Sequence, residues 1–193
     1  EASWATVFKD LVERGLHGVT YVVSDEHVGL VAALHRYFPE AVHQRCQVHY
    51  QRNALSRVTS ERLQGVTRQG LRDAWTAPTR EEAAGRIARL IAELRPDAPR
   101  LADWLADTHD ATLASYVLAR DDVRTKLGST NSLERHHVEV RRRTHVIRIF
   151  PHEASLLRLL TALAIEQNDS WRSKRWMVEP TFIAPPIPMR RTA

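Results

Sequence analysis

The chain has 193 residues, 43% of them hydrophobic, which is ample for a packed core, and its single cysteine, Cys46, excludes an internal disulfide framework. No apolar run approaches the roughly 20 residues that span a bilayer, and the opening Glu1-Ala2-Ser3-Trp4 lacks the basic and then apolar pattern of a secretory signal, so a cytoplasmic protein in a reducing compartment is expected. A formal charge of +5 at pH 7 and a pI near 9.9 suit a polyanionic partner, because each phosphate met by Lys or Arg releases condensed counterions.

The spacing of Trp4, Val7, Phe8, Leu11 and Val12 predicts an amphipathic helix up to Arg14, with Gly15 as its stop. Val19-Thr20-Tyr21-Val22-Val23, β-branched and aromatic without a 3.6-residue period, reads as a buried strand between Gly18 and Ser24-Asp25. A helix is predicted from Gly29 to Tyr37, ending before Phe38-Pro39, and a short second strand at Ala41 to Arg45. Helix, strand, helix, strand is an α/β signature. From Gln47 to Lys126 the chain turns polar, alanine-rich and helical. Thr79-Arg80-Glu81-Glu82 is a capping box opening a helix with Ala83, Ile87, Leu90, Ile91 and Leu94 on one stripe. Another helix is predicted over Ala98 to Asp107 with Leu101, Trp104 and Leu105 inward. Such a block within an α/β chain reads as an all-helical insertion. A helix then follows Gly128-Ser129-Thr130-Asn131 toward Arg143, and Ala154 to Gln167 reads as an apolar core helix. Beyond Trp171, the Arg- and Pro-rich tail with Pro180, Pro185, Pro186 and Pro188 is expected to be irregular.

Asp25 follows a predicted strand at its carboxyl end, where open α/β sheets place functional groups. Ser24 or Asp25 at that point also has the position of a helix cap. Glu134, three residues after Asn131, has the same two readings, ligand or member of a capping box. Glu139 lies about 140° around the helix from Glu134, so the two carboxylates do not serve one metal. Arg141, Arg142 and Arg143, with Arg135 before them and Arg148 after, concentrate positive charge that fits a DNA backbone, since Arg forks onto phosphate. A solvated helix end explains the same charges. Cys46 and His49 stand at i and i+3, on one face if the segment is helical. A structural zinc site wants four ligands at characteristic spacings; His27 and His43 are nearby in sequence, but those spacings are absent. Nor does the sequence offer a third group to orient a Cys–His nucleophile pair.

Taken in order, these motifs resemble the Mutator-type transposases of bacterial insertion sequences. The residues that carry the resemblance are Trp4 through Leu16, Val23-Ser24-Asp25-Glu26-His27-Val28-Gly29-Leu30, Phe38-Pro39, Gln44 through His49, Arg52-Asn53, Ser129 through Arg135, Glu139 through Thr144, Ile149-Phe150-Pro151 and Trp171. Ser129 and His137 stand where that family often has Thr and Asn. The resemblance implies a ribonuclease-H-like core whose two aspartates and one glutamate hold Mg²⁺ or Mn²⁺, with Asp25 as the second aspartate and Glu134 as the glutamate. It also implies that Cys46 and His49 form the family's C-x2-H motif beside the active site, in the neighbourhood of His27, Asn131 and Arg135. By the same reading, residues 1–49 are part of the core, 50–127 the helical insertion, 128–172 the closing helices and 173–193 a tail. The partner is double-stranded DNA, element ends and target, in the bacterial nucleoid, with a homo-oligomer assembled on it. The first aspartate belongs to a strand upstream of the opening helix, and no residue before Trp4 supplies it, so this stretch is expected to be inactive by itself. The competing readings are a non-catalytic basic helical DNA-binding protein and a degraded remnant of an element.

Overall fold

A computed structural model of the chain describes residues 2–174; most of the tail expected to be irregular lies outside them. Helix α1 (Ala2–Glu13) stops as predicted. Leu16 N donates to Leu11 O and Gly15 N to Val12 O, and Gly15 has φ 98°, the left-handed helix ending that glycine adopts without a Cβ clash. Strand β1 (Tyr21–Ser24), helix α2 (Val28–Tyr37) and strand β2 (Val42–Arg45) follow, and the strands pair in parallel from Tyr21 opposite Val42 to Ser24 opposite Arg45. The mostly helical chain thus carries a small parallel two-stranded sheet, compatible with the α/β class read from the sequence. Leu34, Phe38 and Ala41 bury a cluster against Phe8, Val19 and Val22, and the Phe8 and Phe38 rings meet edge to face at 5.3 Å.

Helices α3 (Gln47–Leu55), α4 (Glu61–Trp75), α5 (Arg80–Leu94) and α6 (Pro99–Thr108) come next, then two short 3₁₀ turns (Asp110–Thr112, Ala114–Val117) and α7 (Asp121–Leu127). No strand interrupts them among the described residues. The Thr79 hydroxyl accepts from Glu82 N at 3.2 Å as the capping box predicts, and Pro99 occupies the first turn of α6, where no helical donor is lost. Tyr50, Leu71, Leu90, Leu94, Leu101 and Leu105 form the buried centre of this block. Buried Gln44 ties it to β2: its Nε2 donates to Thr112 O at 2.9 Å and its Oε1 accepts from Ser115 N at 2.6 Å.

The described residues fall into two compact units, one ending at Ser129 and the other beginning at Thr130. The second holds α8 (Asn131–Ile147) and α9 (Glu153–Arg172). Here the expectation of a core helix at 154–167 is corrected. Of α9 only Leu163 is buried, and Leu157 and Ile165 are 53% and 57% exposed, because α8, its partner within the unit, contributes no buried residue and covers one side of an apolar helix.

Candidate functional site

Asp25 is the first residue beyond the carboxyl end of β1. Its backbone is held from below: the buried Ser24 hydroxyl donates to Asp25 O at 2.8 Å and lies 2.8 Å from His43 Nε2. Having given its one proton to the carbonyl, Ser24 Oγ must accept from His43. Burial foremost, then the charges of His35 and Arg45, lowers the His43 pKa to about 4, so the ring is the neutral Nε2–H donor this arrangement needs. The capping role that Ser24 or Asp25 was open to goes instead to His27, the N-cap of α2, whose Nδ1 accepts from Leu30 N at 3.3 Å. The Asp25 carboxylate is thereby left for the cleft. It is half exposed, with Oδ1 2.8 Å from His49 Nδ1.

Cys46 and His49 come to the same place through α3. Cys46 is buried at the N-cap, and its N donates to Ser24 O at 2.8 Å, continuing the pairing of the strand ends. One helical turn on, His49 Nδ1 lies 3.2 Å from Cys46 Sγ. A cleft of about 330 Å³ opens here, lined also by Glu26, His27, Asn53 and Trp104. Its floor is cationic. Arg45, almost wholly buried, pairs with Glu26 at 2.5 Å and lies over the Tyr50 and Trp104 rings at 4.7 and 5.4 Å. Tyr50 and Trp104 are themselves stacked at 4.6 Å, and Arg57 lies 4.4 Å from the Trp104 ring centre. The ring faces offset part of the desolvation of Arg45, whose Nη1 has no hydrogen-bond partner.

In the second unit, α8 begins at Asn131 and its N-cap is Thr130 rather than the predicted Asn131. Glu134 N donates to Thr130 O at 2.9 Å, and Thr130 Oγ1 donates to Glu134 Oε1 at 3.3 Å, so the Glu134 carboxylate faces the helix start. Arg135 Nε donates to Asn131 O at 3.3 Å. Glu139, on another side of the helix, receives Arg142 through two bonds of 2.7 Å and Arg143 through one of 2.7 Å. Those bonds, Arg142 first, hold its carboxyl down at about 2. Two of the three arginines expected on phosphate are thus already matched to a carboxylate of their own helix. A broad groove of about 1030 Å³ in this unit is lined by Arg141, Arg142, His145 and Arg148 together with Val138 and Phe150.

A sequence profile described as "Transposase, Mutator family" matches residues 1–174. The chain belongs to the Mutator family of transposases. It is 41% identical over 170 residues to the transposase for insertion sequence element ISRM5 of Rhizobium meliloti (strain 1021), covering 88% of this chain and 42% of that protein. To the transposase for IS1081 of Mycobacterium tuberculosis it is 38% identical over 170 residues, 88% of this chain and 40% of that one. To the transposase for IS256 in transposon Tn4001 of Staphylococcus aureus it is 34% identical over 172 residues, 89% and 44%. The chain therefore spans less than half the length of these Mutator-family relatives.

For this Mutator-family chain the structure brings Asp25, Cys46 and His49 together and lines the same cleft with His27. Asn131, Glu134, Arg135 and Arg141 to Arg143 all belong to α8 of the other unit. Hard divalent cations take carboxylate oxygens. Asp25 places a carboxylate in the cleft, where Glu26 is engaged by Arg45; the Glu134 carboxylate stands on α8 of the other unit. Sequence reasoning passed over Arg45, Arg57 and Trp104 as parts of the cleft. Arg45 and Cys46 are adjacent in the chain and carried a local signal; Trp104, on α6, arrives by tertiary packing.

Proposed function

We propose that this chain is the part of a DDE-type transposase catalytic domain in which Asp25 and Glu134 are ligands for Mg²⁺ or Mn²⁺, acting on double-stranded DNA at element ends and target. The observation that carries the reading is Asp25 itself, set at the carboxyl end of a parallel strand, relieved of capping by His27 and held by His49 in a cleft floored with arginines. In this reading residues 1–49 belong to a ribonuclease-H-like core, 50–127 are an insertion and 128–172 close the core, and the protein works as an oligomer joining two DNA ends. Bound divalent ions supply activation of a water or 3′-hydroxyl and stabilise the leaving oxygen of an in-line phosphoryl transfer. The chain's own residues do the rest. Ser24 and His43 fix the Asp25 peptide, His49 orients its carboxylate, Arg57 adds positive charge to the cleft, and Arg141 offers a fork to a backbone phosphate.

The test is made in a transposase of the relatives' full length that carries this chain, with a labelled duplex of an element end and Mn²⁺. Asp25→Asn and Glu134→Gln should each reduce strand cleavage to background while leaving duplex binding within about twofold. Full cleavage by either variant would remove that residue from the ligand set. Binding without metal-dependent cleavage in the unsubstituted protein would favour a non-catalytic DNA-binding role.

A further inference from the structure

We propose that Asp25, Cys46 and His49 form a binding site for a thiophilic divalent cation of the zinc class, distinct in chemistry from the hard-cation ligation proposed for Asp25 and Glu134. Among the described residues this is the group of His, Cys, Asp and Glu donors whose ligand atoms all lie within 4.8 Å of one another. The contacts are centred on one atom: His49 Nδ1 is 2.8 Å from Asp25 Oδ1 and 3.2 Å from Cys46 Sγ. That nitrogen, the carboxylate and a thiolate each offer a lone pair, with the three ligand atoms within 4.8 Å of one another. A cation satisfies all three donors at once.

Zinc bonds of about 2.3 Å to sulfur and about 2.0–2.2 Å to nitrogen and oxygen require tetrahedral ligands about 3.3–3.6 Å apart, so His49 must draw back slightly from both donors while Cys46 and Asp25, within 4.8 Å of each other, close to that range. A thiolate, an imidazole and one carboxylate favour zinc-like ions over Mg²⁺, which wants six oxygens. Asp25, half exposed, and His49 line the cleft, from which an ion would reach the donors. Two local features support the site. Cys46 and Asp25 are both anchored to Ser24 through backbone or hydroxyl bonds, and Arg45, next to Cys46 in the chain and almost wholly buried, is paired with Glu26. As the metal–sulfur bond forms, the thiol proton leaves to solvent. Zinc-class binding here would hold Asp25 in place from the protein side.

Cys46 is the one cysteine of the chain, so a thiolate-to-cobalt charge-transfer band in the near ultraviolet reports on this site alone. The chain is titrated with Co²⁺ and then with Zn²⁺. The expected result is a band saturating at one cobalt per chain, erased by Zn²⁺ and unaffected by a large excess of Mg²⁺. Asp25→Asn and His49→Gln should each weaken Co²⁺ binding about tenfold or more, while Arg100→Ala, at an exposed position on α6, leaves it unchanged; circular dichroism checks that the variants fold. Absence of the band at saturating Co²⁺, or its survival at unchanged affinity in either Asp25→Asn or His49→Gln, overturns the three-donor site. Neither outcome bears on Mg²⁺-dependent cleavage, which is read separately in the full-length transposase.

Discussion

His43 carries the most informative single-residue chemistry outside the proposed metal donors. Its Nε2–H donates to Ser24 Oγ, and Ser24 in turn holds the Asp25 carbonyl. Protonating the ring adds charge in a buried place beside Arg45 and His35, which is why its pKa falls to about 4. The unfolded chain binds that proton near pH 6.5. Between the two values the unfolded state holds more protons, so stability is fully present above pH 6.5 and is lost as pH falls toward 4. By pH 5 the loss from this group is about 2 kcal/mol. Urea unfolding at pH 7 and pH 5 should show that difference, and His43→Gln, which keeps a donor but does not titrate, should shrink it. An equal drop in the variant would assign the acid sensitivity to other groups.

Among the elements, the packing of α4 on α5 turns on Gly70. A Cβ there would stand 2.6 Å from Leu90 Cδ1 and 3.0 Å from Cδ2, and Leu90 is in the buried cluster. Alanine gains about 1 kcal/mol in helix propensity, but overpacking costs about 1–3 kcal/mol. Gly70→Ala should therefore lose about 1 kcal/mol net and melt a few degrees lower; a higher Tm would mean Leu90 relocates without strain. On α8 the question is charge. With Arg142 and Arg143 engaged by Glu139, Glu139→Gln should release them to phosphate, tightening duplex binding and steepening its salt dependence by about one to two units of slope. Arg141→Ala should make it about one unit shallower. Fluorescence anisotropy across a salt series measures both, and an unchanged slope in Glu139→Gln would show that this face of α8 does not meet DNA.

For the whole molecule, the two units differ in how much apolar surface they bury. The first carries three buried clusters. Of the described residues of the second, Leu163 is the buried one, while Val138, Val146, Ile147, Leu157 and Ile165 stay exposed. Local opening free energy follows buried apolar contact. In the chain by itself, amides of α8 and α9 should exchange with deuterium well before those of α4 and α5. Equal protection would show that something covers the exposed faces in solution. No helix among the described residues is long and apolar enough to cross a membrane.

What the sequence by itself determined is local: the order of α1, β1, α2 and β2, the capped helices after Gln47, the stop at Gly15 and the place of Asp25 after a strand. These follow from periodicity, β-branched runs and cap chemistry, which act within a few residues. The i, i+3 spacing of Cys46 and His49 was also legible, but not what they face. That His27 caps α2, rather than the expected Ser24 or Asp25, follows from where the helix begins, at Val28, while Ser24 is engaged by Asp25 O and by His43 of the other strand. That α9 would leave its apolar residues exposed was likewise beyond periodicity, which reports that a face is apolar and not whether a partner covers it. The donor trio and the Arg45–Tyr50–Trp104 stack exist because parallel pairing brings the ends of β1 and β2 side by side and the α3–α6 packing returns Trp104 to them. Such contacts are set by the path of the chain in space, on which short-range sequence preferences have no hold.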